Sequence, residues 1–156
     1  MTTYYVDTSA LVKRYIDEVG SDWIRTTLSQ SPPPCLIVVN LAIVEMTSAL
    51  ARRRRDGLLT PPEYAQVQDA FRSDCLSEYR IVAAVDSIID EANRLLERYP
   101  LRAYDAVHLA AAVVTNRHLL ADGLAPLAFL SADDRLNDAA LAEGIAVDNP
   151  NHHQSF

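Results

Sequence analysis

Tyr4-Tyr5-Val6-Asp7-Thr8-Ser9-Ala10-Leu11-Val12 is the stretch from which the fold is read. Its aromatic and β-branched start favours an extended strand, and Asp7-Thr8-Ser9 then offers side chains that commonly cap a helix. Leu11, Val12, Tyr15 and Ile16 fall on one helical face and Gly20 is a natural stop, so the unit reads as strand, acidic turn, then helix over 10–18. Working outward, a second short helix is expected over 22–29. The prolines Pro32-Pro33-Pro34 cannot continue it, and 35–39 is a short apolar run of strand character.

Asn40 can cap a helix over 41–55, which ends at Asp56-Gly57. Thr60-Pro61-Pro62-Glu63 is a capping box that opens a helix to about 78. Further helices are expected over 86–98, closed by Pro100, over 102–116, and over 134–143, stopped by Gly144. Strands are expected over 80–85, 127–130 and 145–147. Strands alternating with helices predict an α/β fold with a mainly parallel sheet and helices on both faces. At 156 residues, one domain over 1–150 is expected, with 151–156 as a flexible tail.

Composition narrows the function. Hydrophobic residues at 49% and charged residues at 22% suit a soluble globular domain. No apolar run approaches the ~20 residues of a membrane span, and the opening lacks a signal-peptide pattern, so a cytoplasmic location is expected. Cys35 and Cys75 lack CxxC spacing, which suggests neither a zinc site nor a disulfide framework. The net charge of −7 argues against a broad basic surface for nucleic acid. Lys13 is the only lysine, and arginine peaks at Arg52-Arg53-Arg54-Arg55. That run reads first as a solvated last helical turn, with cations favoured by the helix dipole, although arginine also suits phosphate.

Four acids stand out by their settings. Asp7 and Asp133 each follow a strand, at the end where parallel sheets bind their ligands. Glu45 lies in apolar company between Leu41 and Met46, and Asp105 lies within Ala103-Tyr104-Asp105-Ala106. Carboxylates in such surroundings are costly unless paired or metal-bound. Hard oxygen ligands favour Mg²⁺ or Mn²⁺, which orient water and neutralise charge on a phosphodiester under attack. Offsetting these four of the 21 acids leaves the rest of the chain close to neutral. Each acid also has a structural alternative: Asp7 as a helix cap, Asp105 as an acid favoured at a helix start, and either Asp133 or Asp134 as a surface or capping residue.

The motifs around these acids resemble the PIN-domain ribonucleases, specifically the VapC-type toxins of bacterial toxin–antitoxin pairs. The resemblance covers almost the whole chain. It is carried by Tyr5-Val6-Asp7-Thr8-Ser9-Ala10-Leu11-Val12-Lys13, by Val44-Glu45 with Ser48-Ala49-Leu50, by Leu101-Arg102-Ala103-Tyr104-Asp105-Ala106-Val107-His108-Leu109-Ala110, and by Leu130-Ser131-Ala132-Asp133-Asp134-Arg135-Leu136. It implies a PIN-like three-layer sandwich around about five short strands. It implies Asp7, Glu45 and Asp105 as metal ligands, Asp133 completing the site directly or through water, and Ser9 and Ser131 orienting carboxylates. Ser131 stands where the family more often has threonine, which keeps the hydroxyl.

By the same resemblance, Lys13 and Arg102 are candidate RNA contacts and His108 a packed structural histidine. The expected activity is RNA cleavage leaving a 3′-hydroxyl and a 5′-phosphate. A homodimer is expected, neutralised by a small antitoxin, with Trp23 and the first helices as the antitoxin contact. The alternatives are a PIN-like nuclease of RNA processing without an antitoxin, or an inactive partner-binding module. A phosphatase of the haloacid dehalogenase class would need a second acid two positions after Asp7, where Ser9 stands.

Overall fold

The opening stretch forms strand and helix as its pattern dictates. In the computed structural model, which describes residues 1–153, β1 (Thr3–Val6) runs into α1 (Thr8–Tyr15) with Asp7 at the joint. Then follow α2 (Ser21–Leu28), β2 (Cys35–Val39), α3 (Leu41–Arg55), α4 (Pro61–Ser77), β3 (Tyr79–Val82), α5 (Asp86–Arg98), α6 (Ala103–Ala121), β4 (Ala128–Leu130), α7 (Asp134–Ala142) and β5 (Ala146–Asp148). A 3₁₀ turn at Pro150–His152 follows.

All strand pairs are parallel, in the order β3-β2-β1-β4-β5. The chain winds outward from β1 to β3 and then returns to the other side of β1. This places a topological switch between β1 and β4, and the crevice at their carboxyl ends is where such sheets bind ligands.

Period-two alternation splits the core into two layers of side chains. Tyr5, Ile37, Val39 and Phe129 point to the face covered by α5, α6 and α7, while Val6, Leu36, Val38 and Leu130 point to the face covered by α1 to α4. The result is the expected three-layer α/β sandwich around a five-stranded parallel sheet. Tyr5 pairs with both Ile37 and Phe129 in register, and its ring stacks on Phe129 with centroids 5.4 Å apart. Cutting Phe129 to Ala would cost roughly 3–5 kcal/mol.

Helix α6 is apolar nearly all round, with Ala106 and His108 to Val113 buried. Its alanines let it lie close on the sheet, and its first turns serve as a fixed mount for Asp105 and His108.

Several boundaries differ from the local pattern. Helix α6 continues past 116, where the Asn116 side chain accepts the Leu127 backbone N–H at 2.9 Å, to Ala121, and Gly123 with a φ of +72° follows its end. Strand β3 stops at Val82, and Asn40, expected to cap α3, instead accepts the Ala84 N–H at 3.2 Å. The Thr60–Glu63 capping box forms as expected.

The stretch expected to begin a flexible tail is ordered through His153, while 154–156 lie outside the described residues. Pro150 packs against Gly20, where any Cβ would run into its carbonyl, and His153 stacks on Trp23 at 4.1 Å. Trp23 is thus half-buried, with one face covered by its own chain. Among the described residues, no helix is long and apolar enough to cross a membrane.

Candidate active site

The carboxyl ends of β1 and β4 open into a groove of about 600 Å³ whose lining includes Asp7, Glu45, Asp105 and Asp133. Four elements deliver them. Asp7 ends β1, Glu45 sits on the second turn of α3, Asp105 in the first turn of α6, and Asp133 at the start of α7.

Asp7 is buried at 5% exposure and its side chain does not cap α1. Instead its Oδ2 accepts hydrogen bonds from Ser9 Oγ at 2.6 Å and Ser131 Oγ at 2.9 Å. Each serine in turn accepts a backbone N–H, Ser9 from Ala132 at 2.9 Å and Ser131 from Asp133 at 3.1 Å. A hydroxyl has one proton to give. Both protons therefore go to Asp7, and the two turns carrying Asp7 and Asp133 are tied together through it.

Glu45 is held by different groups. Its Oε1 accepts from Thr8 Oγ1 at 3.1 Å and from His108 Nε2 at 2.5 Å. His108 is fully buried, and its Nδ1 meets the Tyr5 hydroxyl at 2.9 Å and lies 3.6 Å from Asp7 Oδ1. A carboxylate only accepts, so Nε2 carries a proton. Burial works against a charge on this imidazole, but Asp7 and Glu45 outweigh it and hold the histidine pKa above its ordinary value. His108 is thus the packed structural histidine expected, buried beneath the acids as their internal partner.

Asp133 Oδ1 caps α7, accepting the N–H groups of Arg135 at 3.0 Å and Leu136 at 3.3 Å. Its neighbour faces elsewhere: Asp134 accepts from Asn149 Nδ2 at 2.8 Å, its side chain is 77% exposed, and it does not line the groove. Of the two candidates in that turn, Asp133 is the one the fold brings to the other acids. Asp105 has its pKa pushed up, first by burial and then by the charges of Asp7 and Asp133.

The acids share a further feature. In Asp7, Glu45 and Asp133, one oxygen is tethered by hydrogen bonds while the other has none from the described residues. Such pre-oriented carboxylates fit a hard divalent cation. Among the described residues no three or more His, Cys, Asp or Glu side chains are arranged to hold a metal ion between them, but Mg²⁺ keeps several waters and needs only one or two carboxylates directly.

The two candidate RNA contacts part company. Arg102 is exposed and lines the groove. Lys13 is buried, pairs with Glu18 at 3.2 Å and is not among the lining residues, because α1 turns it toward the Glu18–Arg53 pair between α1 and α3. Sequence reasoning did not single out Thr8 or Tyr104, and it read Arg52 first as part of a solvated helical turn, yet all three line the groove. A signal existed for one of them: Arg52 lies seven residues after Glu45, which returns it to the same helical face.

Comparison with known proteins agrees with this architecture. The PIN domain profile matches residues 4–141. Ribonuclease VapC35 of Mycobacterium tuberculosis is 31% identical over 147 residues, covering 94% of this chain and 96% of the relative. Ribonuclease VapC46 of the same organism is 33% identical over 151 residues, covering 96% and 99%. Among solved structures, FitAcB from Neisseria gonorrhoeae superposes with a TM-score of 0.64 at 15% identity, covering 96% of this chain and 99% of that one. A toxin–antitoxin complex from Klebsiella pneumoniae matches with a TM-score of 0.63 at 16% identity, covering 94% and 97%. At those identities the structures speak for the fold, and the sequence relatives for the family. The chain belongs to the PIN-domain family, among its VapC-type members.

Proposed function

We propose that this chain is a metal-dependent endoribonuclease, the toxin of a toxin–antitoxin pair, that hydrolyses RNA phosphodiesters to leave a 3′-hydroxyl and a 5′-phosphate. The observation that carries this reading is the gathering of Asp7, Glu45, Asp105 and Asp133 at one switch point, several with one oxygen tethered and one left open. These four residues would hold Mg²⁺ or Mn²⁺. When bound, such an ion lowers the pKa of a water and neutralises charge on the phosphate under in-line attack.

The rest is the work of the chain itself. Ser9 and Ser131 fix the rotation of the Asp7 carboxylate by donating to one oxygen, which leaves the other, 3.6 Å from His108 Nδ1, without a hydrogen bond from the described residues. Thr8 and His108 do the same for Glu45. Arg102 at the rim is placed to meet RNA phosphate. The relatives named ribonuclease VapC support the activity, and the structural neighbour described as a toxin–antitoxin complex supports a small antitoxin as partner. The same reading makes the chain a cytoplasmic homodimer.

The test is cleavage of RNA by the purified chain, freed of any partner, with Mg²⁺ or Mn²⁺. Asp7→Asn should lower the rate at least about 100-fold, since disturbing groups that merely orient ligands already costs 10–100-fold. Equal cutting by both proteins, or by wild type in EDTA, would sink the mechanism. Sedimentation of the isolated chain at the mass of a monomer would remove the dimer.

A further inference from the structure

We propose that Tyr104 and Arg52 form a substrate subsite beside the acids, with an unpaired nucleobase stacked on the Tyr104 ring and a neighbouring phosphate held by Arg52. This inference rests on the ribonuclease reading and assigns it a way of holding RNA.

Two contrasts single out these residues. Most of the tyrosines are committed: Tyr5 to His108 and Phe129, Tyr15 and Tyr79 to each other and to Asp74 and Arg14, Tyr64 to Gln68 and Arg54, and Tyr99 to Glu143. Tyr4 is packed against the core. Tyr104 is 58% exposed, lines the groove one residue before Asp105, and has no hydrogen-bond, ion-pair or ring partner among the described residues. A large ring left bare at the mouth of an acidic site is poorly explained by folding, but it suits the π-face of an unpaired base, which every nucleotide presents.

The arginine run divides in the same way. Arg53 pairs with Glu18 and the Ala49 carbonyl, Arg54 lies over the Tyr64 ring at 4.2 Å, and Arg55 is exposed outside the groove. Arg52 alone of the four lines the groove, and it has no partner among the described residues. Leu41, Val44, Glu45, Ser48, Ala49 and Arg52 form one stripe of α3 facing the site, at i+3, i+4, i+7, i+8 and i+11. The rise from Glu45 to Arg52 is about 10 Å. That separation lets a flexible arginine reach the phosphate next to the one at the acids. Ser48 and Ala49, both small, leave room between them for the backbone. An arginine here also answers the overall charge of −7, which would otherwise repel a polyanion.

The subsite is tested by binding, in an Asp7→Asn background so that RNA stays intact, with fluorescence anisotropy of a labelled, unstructured oligoribonucleotide and its fully paired duplex in Mg²⁺. Tyr104→Ala should weaken single-strand binding about tenfold and erode the preference over duplex, while Tyr104→Phe keeps both. Arg52→Ala should lower the slope of log Kd against log salt by about one, while Arg55→Ala leaves it unchanged. Both side chains are exposed, so thermal melts of the variants should match the parent. Tyr104→Ala binding like Tyr104→Phe, or Arg52→Ala matching Arg55→Ala, would overturn the proposal. Cleavage is not the readout, so a chain that cuts RNA but shows neither loss sinks the subsite alone. A chain that shows both losses but never cuts sinks the nuclease reading instead.

Discussion

Two regions of this molecule gather buried carboxylates and treat them in opposite ways. Where α5, α6 and α7 meet, Glu91 accepts from Arg94 at 2.6 Å and from Arg117 at 3.1 Å. Glu143 there pairs with Arg94 and accepts from the Tyr99 hydroxyl at 2.7 Å. The Arg94 bond pulls the Glu91 pKa down against the cost of burial. For Glu143 burial pushes upward, but the bonds from Tyr99 and Arg94 outweigh it and the value falls. In the groove, Asp105 moves the other way, driven up by burial and by Asp7 and Asp133. Its guanidinium neighbours, Arg52 and Arg102, line the same groove without pairing to any of the four acids. One cluster has its carboxylates matched by arginines within the chain; the other has only His108 beneath it.

Single substitutions should therefore have opposite signs in the two regions. Within these two clusters the largest effect on stability is expected from Glu143→Gln, which removes the charge facing Arg94 and leaves one amide oxygen where two carboxylate oxygens accepted from Arg94 and Tyr99. A loss of about 2 kcal/mol is expected, discounted for the partial exposure of Arg94, or roughly 6 °C in Tm, with RNA cleavage unchanged. Urea denaturation with no shift in midpoint would erase the distinction between the clusters.

Asp105→Asn should do the reverse. Removing one of several repelling charges should raise the stability of the metal-free protein by about 1 kcal/mol, or roughly 3 °C, while cleavage is lost. A variant less stable than the parent in EDTA would show that the groove is not electrostatically loaded.

The smallest effect is in pH. The folded pKa of Glu143 lies below its unfolded value, so its contribution is present above 4.5 and is lost as pH falls through the folded value. The stability gap between parent and Glu143→Gln should thus narrow by a fraction of a kcal/mol between pH 5 and pH 4. Asp105 is shifted above 3.8, so its ionisation removes stability as pH rises through the folded value. The advantage of Asp105→Asn over the parent should likewise shrink as pH falls from 5 to 4, because protonation relieves the same repulsion in the parent. Gaps constant with pH, measured by chemical denaturation in EDTA, would detach both effects from these carboxyl groups.

Much of this was legible in order along the chain. Alternation marked the strands, the 3.6-residue period marked the helices, and the positions of Asp7 and Asp133 after strands followed from those patterns. Boundaries failed where a distant group intervened. Asn116 did not end its helix and its side chain accepts the Leu127 N–H, and Asn40 did not cap α3 because Ala84 claimed it. Lys13 was open to a phosphate-binding reading until the pairing with Glu18 placed it in the interior.

By itself, then, the sequence determined the element types and the α/β layering, because propensity, periodicity and capping act over a few neighbouring residues. Tertiary structure alone decided which oxygen of Asp7 is tethered, that Asp133 and not its neighbour Asp134 reaches the groove, and that His108 bridges Tyr5 and Glu45. Each of those outcomes depends on contacts between elements far apart in sequence, such as the 122 positions that separate Ser9 from Ser131. Only the parallel register of β1 beside β4 brings those two hydroxyls onto one carboxylate.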